Sequence, residues 1–169
     1  ILNKNNIANV INCYNEMLKE IPLTIKADNI LDLMNSIKRR NINSGPYPNV
    51  ALFEAANRIM TDLVILNGVK MLLDGKIKEI DFDDYYVEYG NENQNAHDIT
   101  AQNNGKNLRC EAFNVSAAFF HTKKAKTLKK LRNNAMQEDI ILVMFNKDAV
   151  STEYQPKKID KEYYLLVEI

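Results

Sequence analysis

The chain has 169 residues, a length that fits one domain able to bury about two-thirds of the surface exposed by the unfolded chain. Lys plus Arg and Asp plus Glu both number 22, so net charge indicates neither a nucleic-acid partner nor an acidic one. Cys13 and Cys110 lie in largely apolar patterns, which argues against a secreted disulfide framework and favours a cytoplasmic protein. No apolar run approaches the roughly 20 residues that span a bilayer, and no signal-peptide pattern occurs, so we expect no membrane partner.

Helical periodicity dominates the first part of the chain, residues 1–75. Apolar residues recur at helical spacing over about residues 7–18 and predict an amphipathic helix. Asp28 is suited to cap a second helix, which ends in the basic pair Arg39 and Arg40 as the helix dipole prefers.

The longest helical pattern covers about residues 49–73 and follows the chain-breaking segment 43–48. Asn49 is suited to cap this helix, and Asp74-Gly75 marks its end. Its apolar stripe predicts a third amphipathic helix.

Residues 76–169 contain short β-prone runs that predict a sheet, with one helix predicted at 117–134. Five strands are predicted, at residues 84–89, 96–102, 107–115, 140–146 and 163–169. Helices first, then strands with a single crossover helix, predict an α/β or α+β domain spanning 1–169, with a mixed sheet covered by helices. Residues 91–95 and 150–156 are predicted to be exposed loops.

A β-hairpin carries the most informative residues. Asn104-Gly105 between two alternating runs predicts a two-residue type I′ turn, in which the numbers of facing residues sum to 209. Asp98 then faces Glu111. The carboxylates share a polar strand face, whereas the opposite face is apolar and carries Ile99, Ala101, Leu108 and Cys110.

Facing carboxylates about 5 Å apart repel each other and require neutralisation. A proton shared by Asp98 and Glu111, a salt bridge from Arg109 on the same face, or a hard divalent cation such as Mg²⁺ would each supply it. The spacing of the residues leaves these three alternatives open.

An Asp on one strand, a short hairpin, and then Glu followed by a helix resembles the core of the PD-(D/E)XK nuclease superfamily, which includes many restriction endonucleases. The resemblance covers about residues 84–146 and implies a restriction-endonuclease-like fold. It also implies that Asp98 and Glu111, with the backbone carbonyl of Ala112, bind Mg²⁺, with Mn²⁺ as a substitute. The implied activity is Mg²⁺-dependent cleavage of double-stranded DNA, as in type II restriction enzymes, which often act as homodimers.

Two positions depart from the family pattern. His97 stands where the family has proline, and Phe113 stands where it has a lysine that assists the attacking water and offsets developing negative charge. We expect a lysine from the following helix to substitute. Lys124 ranks first because it falls on the face expected to pack on the sheet, and Lys123 ranks second.

The predicted helix at 117–134 carries six basic residues, a local patch that is suited either to phosphate contacts or simply to solvation. Lys126, Lys130 and the hairpin residue Arg109 are the candidate DNA contacts.

Glu54 is a candidate third carboxylate, because some nucleases of this superfamily add one from the helix before the sheet. Arg58 lies four residues further on, so pairing between Glu54 and Arg58 on the exposed face of their own helix competes strongly with that role. His97 and His121, the two histidines, are too separated to predict a zinc site or an acid-base pair.

Two other interpretations stay open. The absence of lysine at Phe113 favours a nuclease fold that has lost catalysis and serves in DNA binding or protein interaction. Alternatively, the chain is an unrelated α/β domain in which the acid pair has only a structural role.

Overall fold

A computed structural model of the protein describes residues 1–90, 95–103, 105–136 and 138–169. The helices are α1 (Ile7–Glu20), α2 (Ile30–Arg39), α3 (Leu52–Leu73) and α4 (Ala117–Asn134), and a 3₁₀ turn covers Lys147–Ala149. The strands are β1 (Leu2–Asn3), β2 (Asn41–Ile42), β3 (Val50–Ala51), β4 (Asp84–Val87), β5 (Ile99–Asn103), β6 (Lys106–Phe113), β7 (Ile140–Asn146) and β8 (Glu162–Val167).

Six of the strands form one mixed sheet in the order β1-β4-β5-β6-β7-β8. The pairs from β1 to β6 are antiparallel, whereas β7 runs parallel to both β6 and β8. A parallel pair needs a crossover connection, and α4 supplies it between β6 and β7. The predicted mixed α/β architecture is confirmed, but the helices do not all come first, since β1 precedes α1 and β2 and β3 precede α3.

Helices cover both faces of the sheet. The core on one face combines α1 and α3 with residues such as Ile99, Cys110 and Leu142, and the core on the other combines α4 with Phe113 and Phe145. All seven residues of β7 are buried, as a central parallel strand requires. Because side chains alternate along β6, Glu111 falls on the α4 side.

The register of the β5–β6 hairpin matches the prediction. Its pairs run from Ile99 with Cys110 to Asn103 with Lys106, and each pair sums to 209. Gly105 has φ +80°, which suits a type I′ turn, while Asn104 lies outside the described residues. The strand is shorter than predicted, since β5 begins at Ile99 rather than at residue 96. Of the predicted loop at 91–95, residues 91–94 also lie outside the described part.

Both predicted helix caps were wrong. Asn29, not Asp28, caps α2 by accepting a hydrogen bond from the backbone N–H of Asp32 at 3.0 Å. α3 begins at Leu52 because the residues just before it form β3, which pairs with β2. Asn49 instead has φ +67°, the left-handed conformation that Asn tolerates in turns. In the described residues, no helix combines the length and apolar character needed to cross a membrane.

Candidate functional site

An open cleft of about 1300 Å³ lies at the end of the β5–β6 hairpin. Asp98 and Glu111 line it together with Ala112. One wall comes from the N-terminal half of α3 and another from the start of α4. Asp98 immediately precedes the pair formed by Ile99 and Cys110, so the hairpin register continues to set it against Glu111. Turn geometry therefore brings the two carboxylates into one cleft.

Glu111 is almost buried, and nitrogen atoms of two side chains approach one of its oxygens. His97 Nδ1 lies 2.9 Å from Oε1, and Lys130 Nζ lies 2.7 Å from the same atom. Among the described residues, no side chain or backbone group donates to Oε2. The carboxylate is thus anchored through one oxygen, and the other is left for a ligand.

Asp98 has a similar arrangement. The backbone N–H of Ala112 donates to its Oδ2 at 2.8 Å, and no described group donates to Oδ1. Burial, followed by the negative charge of Glu111, raises the pKa of Asp98 from 3.8 to about 6. The Ala112 N–H, Lys130 and Lys123 act in the opposite direction and lower this pKa. The two carboxylates therefore interact, and Asp98 is mostly ionised at neutral pH.

Two lysines of α4, Lys123 and Lys130, lie near these carboxylates. Positions 123 and 130 lie on one face of the helix, seven residues apart. Lys123 lines the cleft, and its ammonium group lies 5.7 Å from the centre of the Phe113 ring. Lys130 pairs with Glu111. Positive charge thus lies beside Phe113.

Lys124, ranked first as the substitute lysine, is placed elsewhere. Its Nζ donates to the hydroxyl of Tyr154 at 2.8 Å and lies 4.4 Å from the centre of the Tyr164 ring. It does face the sheet, as expected, but it does not line the cleft of the carboxylates. The stripe of Phe120 and Leu128, which led to the expectation for Lys124, packs in the core with Phe113 and Phe145.

Phe113 belongs to the core beneath α4. Its ring stacks on Phe145 with 5.8 Å between centroids and lies 6.4 Å from Phe120. Its side chain is almost fully buried. An ammonium group at this position would be desolvated, which explains an aromatic residue here in physical terms.

Arg109 does not neutralise the acid pair directly. Its Nε donates to Asp139 Oδ2 at 2.5 Å, and its Nη1 lies 3.5 Å from His97 Nε2. Asp139 is buried just before β7, the neighbour of β6, and attracts the guanidinium to that side. Lys126, another candidate DNA contact, is exposed on α4.

Glu54 lines the cleft and also pairs with Arg58 at 2.5 Å. The pairing expected on the exposed face of α3 is therefore present. The Arg58 guanidinium thus places a positive charge beside the Glu54 carboxylate at the wall of the cleft.

Asp62 is a cleft residue that the sequence analysis missed. Its buried carboxylate accepts hydrogen bonds from the hydroxyls of Tyr14 at 2.5 Å and Tyr47 at 2.7 Å, and from the backbone N–H of Gly90 at 3.2 Å. Burial is the main cause that raises the pKa of Asp62, and it also raises the pKa of both tyrosines. Asp62 falls at helical spacing among the apolar positions 55, 59, 66 and 69, a signal that could have identified it.

His97 was also missed, and the sequence carried little signal for it. In a strand starting at residue 96, His97 would share the face of Ile99 and point away from Glu111. Residues 95–98 instead form bends outside β5, so that the ring turns to the Glu111 carboxylate. The ring is buried, with 4% of the residue exposed.

The donor set suits a hard cation. Within the described part of the chain, no group of three or more His, Cys, Asp or Glu residues is arranged to hold a metal ion. Mg²⁺ is commonly held by one or two carboxylates while it retains several waters, and Asp98 and Glu111 each keep one oxygen without a protein donor. These residues therefore fit Mg²⁺ or Mn²⁺ better than a cation that needs a full protein cage.

Acidic side chains outnumber basic ones along the described cleft. The acidic residues that line it are Glu54, Asp62, Glu88, Asp98, Glu111 and Asp148, and the basic ones are Arg58 and Lys123. The net negative charge of the cleft would repel a polyanion unless bound cations compensate it.

No protein-family model, curated protein or solved structure matches the chain.

Proposed function

We propose that this protein is a Mg²⁺-dependent endonuclease of the PD-(D/E)XK type that hydrolyses phosphodiester bonds in double-stranded DNA. The observation that carries the proposal is the convergence of Asp98 and Glu111 in one cleft, each with one oxygen anchored and one without a protein donor. Mn²⁺ is the expected substitute cation, because it shares the preference of Mg²⁺ for oxygen ligands.

The order of elements around the cleft supports the resemblance. α3 is followed by β4, β5, β6, α4 and β7, with an antiparallel hairpin and then a parallel strand across the helix. This is the order of strands and helix on which the resemblance rests, with Asp98 directly before β5 and Glu111 on β6. The short motif thus occurs in the expected structural context.

Four residues of the cleft have roles in this proposal. Asp98 and Glu111 would hold the cation, with the carbonyl of Ala112 completing the site. A bound cation would supply positive charge to the scissile phosphate and make water more acidic. Lys123, at the edge of the cleft beside Phe113, would offset negative charge as it develops on the phosphate.

Lys130 and His97 hold the Glu111 carboxylate instead of reacting. His97 Nδ1 forms a hydrogen bond with Oε1 and limits the rotation of the carboxylate, while Lys130 forms an ion pair with the same oxygen, so Oε2 is left for the cation. Lys126 is proposed as a contact to the DNA backbone because it is exposed on the same helix.

A restriction-type enzyme would act as a homodimer on a palindromic site, and we include this assembly in the proposal. Sedimentation of the protein with and without DNA tests it. The two cysteines, Cys13 and Cys110, are both free, which supports a cytoplasmic location.

A second candidate function is DNA binding or protein interaction by a fold that has lost catalysis. The burial of Phe113 among Phe120 and Phe145 favours it, since this position cannot supply the family lysine without rebuilding the core. Cleavage assays separate the two candidates.

The test incubates the protein with mixed genomic DNA and Mg²⁺, because a site-specific enzyme ignores a short duplex that lacks its site. Discrete fragments are expected from the wild type and none from Glu111→Gln. Lys126→Gln, an exposed change on α4, is the matched control and is expected to cut at reduced affinity. Fragments that persist in Glu111→Gln, or the absence of cleavage with both Mg²⁺ and Mn²⁺, would reject the endonuclease proposal.

A further inference from the structure

A series of four linked side chains runs from Asp139, just before β7, along one face of β6 to Glu111 in the cleft. Asp139 Oδ2 accepts a hydrogen bond from Arg109 Nε at 2.5 Å, and Arg109 Nη1 lies 3.5 Å from His97 Nε2. His97 Nδ1 lies 2.9 Å from Glu111 Oε1. Every link joins groups that are distant in sequence, with 12 to 30 positions between the partners.

Asp139, at the end of this series that is furthest from the cleft, is held by further hydrogen bonds. Asp139 also accepts hydrogen bonds from Asn107 Nδ2 at 3.1 Å and from the backbone N–H of Met136 at 2.8 Å. Asp139 and His97 are both buried, with 3% and 4% of each residue exposed. Buried, fully paired polar groups keep a single arrangement because every alternative leaves an unpaired group.

The partners of His97 determine which ring nitrogen carries the proton. A guanidinium group can only donate, so Nε2 accepts from Arg109 and carries no proton. Nδ1 then carries the proton and donates it in a hydrogen bond to Glu111 Oε1. The ring thus presents an acceptor to Arg109 and a donor to Glu111.

We propose that His97 is a positioning residue: fixed by Arg109 and Asp139, its Nδ1–H holds Glu111 Oε1 so that Oε2 meets the cation. This inference rests on the proposed function, because it assigns His97 a role in the same cation site. Partners that orient ligands commonly change metal affinity by roughly 10-fold to 100-fold when they are removed.

Lys130 alone does not provide this orientation. Its side chain is about half exposed, with 47% of its surface accessible, and a lysine has a flexible stem. The His97 ring is buried and held from both sides. The His97 ring therefore orients the Glu111 carboxylate, while Lys130 compensates its negative charge.

The first experiment reads the tautomer directly by ¹⁵N NMR of the histidine rings in the cation-free protein. The chain has only two histidines, and His121→Asn assigns the second one. The expected spectrum shows His97 protonated on Nδ1 and unprotonated on Nε2. Protonation on Nε2 alone, or rapid exchange between tautomers, would overturn the proposal whether or not the protein cuts DNA.

The second experiment measures Mn²⁺ affinity by calorimetry for variants at position 97. His97→Leu removes both ring nitrogens and is expected to weaken Mn²⁺ binding by roughly 10-fold or more. His97→Asn places an amide nitrogen at the position of Nδ1 and is expected to restore affinity to within about threefold of the wild type. His121→Asn, at an exposed position on α4, is the matched control and should bind as the wild type does.

If His97→Leu fails to fold, Arg109→Lys serves in its place. Lysine can keep the charge pair with Asp139 but lacks the second nitrogen that reaches His97 Nε2, so a mixture of tautomers and weaker Mn²⁺ binding are expected. Equal affinity in the wild type, His97→Leu and Arg109→Lys would overturn the role of His97. If the wild type binds no Mn²⁺, the proposed cation site itself is wrong, and the NMR result alone decides the arrangement of His97.

Discussion

Lys130 of α4 and Glu111 of β6 form an ion pair with 2.7 Å between Nζ and Oε1. The carboxylate side chain is 11% exposed and the ammonium side chain 47% exposed, so the charge of Glu111 is compensated by a more exposed group on α4. A pair of this kind stabilises the metal-free protein and opposes a cation at the same carboxylate.

Replacement of Lys130 by Met should therefore strengthen cation binding. Loss of the ammonium removes charge repulsion on the order of 1 kcal/mol, which corresponds to roughly fivefold tighter Mn²⁺ binding. Calorimetric titration with Mn²⁺ measures the change, and Lys126→Met, on the exposed part of α4, is the control. Weaker Mn²⁺ binding in Lys130→Met would mean that the lysine shapes the site instead of competing with the cation.

The two neighbouring lysines of α4 should differ sharply in their effect on DNA cleavage. Lys123 lines the cleft, whereas Lys124 is held by Tyr154. We expect Lys123→Met to slow single-turnover cleavage roughly 100-fold or more, as for loss of a group that stabilises the transition state. Lys124→Met should leave the rate within about threefold and lower the melting temperature. The reverse order of effects would return the substitute role to Lys124.

The metal-free protein should gain stability when Asp98 becomes Asn. Because the pKa of Asp98 is raised to about 6 in the folded protein, its ionised form disfavours folding, and this penalty develops as pH rises from about 4 to 6. At pH 8, Asp98→Asn should raise the free energy of unfolding by about 3 kcal/mol, and the gain should vanish below about pH 4.

Urea unfolding at the two pH values measures this difference. The amide oxygen of Asn can still accept the Ala112 N–H, so the backbone contact stays. With saturating Mn²⁺ the order should reverse, since only the wild type gains stability from the cation. A loss of stability in metal-free Asp98→Asn at pH 8 would contradict the assigned pKa.

Asp62 should prove important for folding. Asp62→Ala leaves the buried hydroxyls of Tyr14 and Tyr47 without their acceptor, and we expect a loss of about 3 kcal/mol. Asp62→Asn retains an acceptor oxygen and should lose less than half as much. Thermal unfolding distinguishes the two variants, and equal losses would mean that the charge of Asp62, not its acceptor oxygens, is what matters.

The hairpin was predictable because its register depends on local turn chemistry and strict alternation. Asn104-Gly105 sufficed to match Ile99 with Cys110 and hence to bring Asp98 towards Glu111. The limits of α4, residues 117–134, were also predicted correctly, since its periodic pattern is long and uninterrupted.

The side chains around the carboxylates were harder to predict. Lys124 and Lys123 are adjacent in sequence, and only the rotation of α4 on the sheet decides which one enters the cleft. The contact of His97 with Glu111 was not predicted, because side chains alternate between the two faces only within a strand and β5 begins at Ile99. Asp62 binds tyrosines 48 and 15 positions away, and pairings of that range depend on the packing of whole elements.

Calorimetric titration of the metal-free protein with Mn²⁺ tests the central claim most directly, since that claim is that Asp98 and Glu111 together form one divalent-cation site. The wild type should bind Mn²⁺ at this site, and both Asp98→Asn and Glu111→Gln should lose the binding while remaining folded. Lack of binding by the wild type, or binding that survives both substitutions, would contradict the cation site and the nuclease function proposed from it.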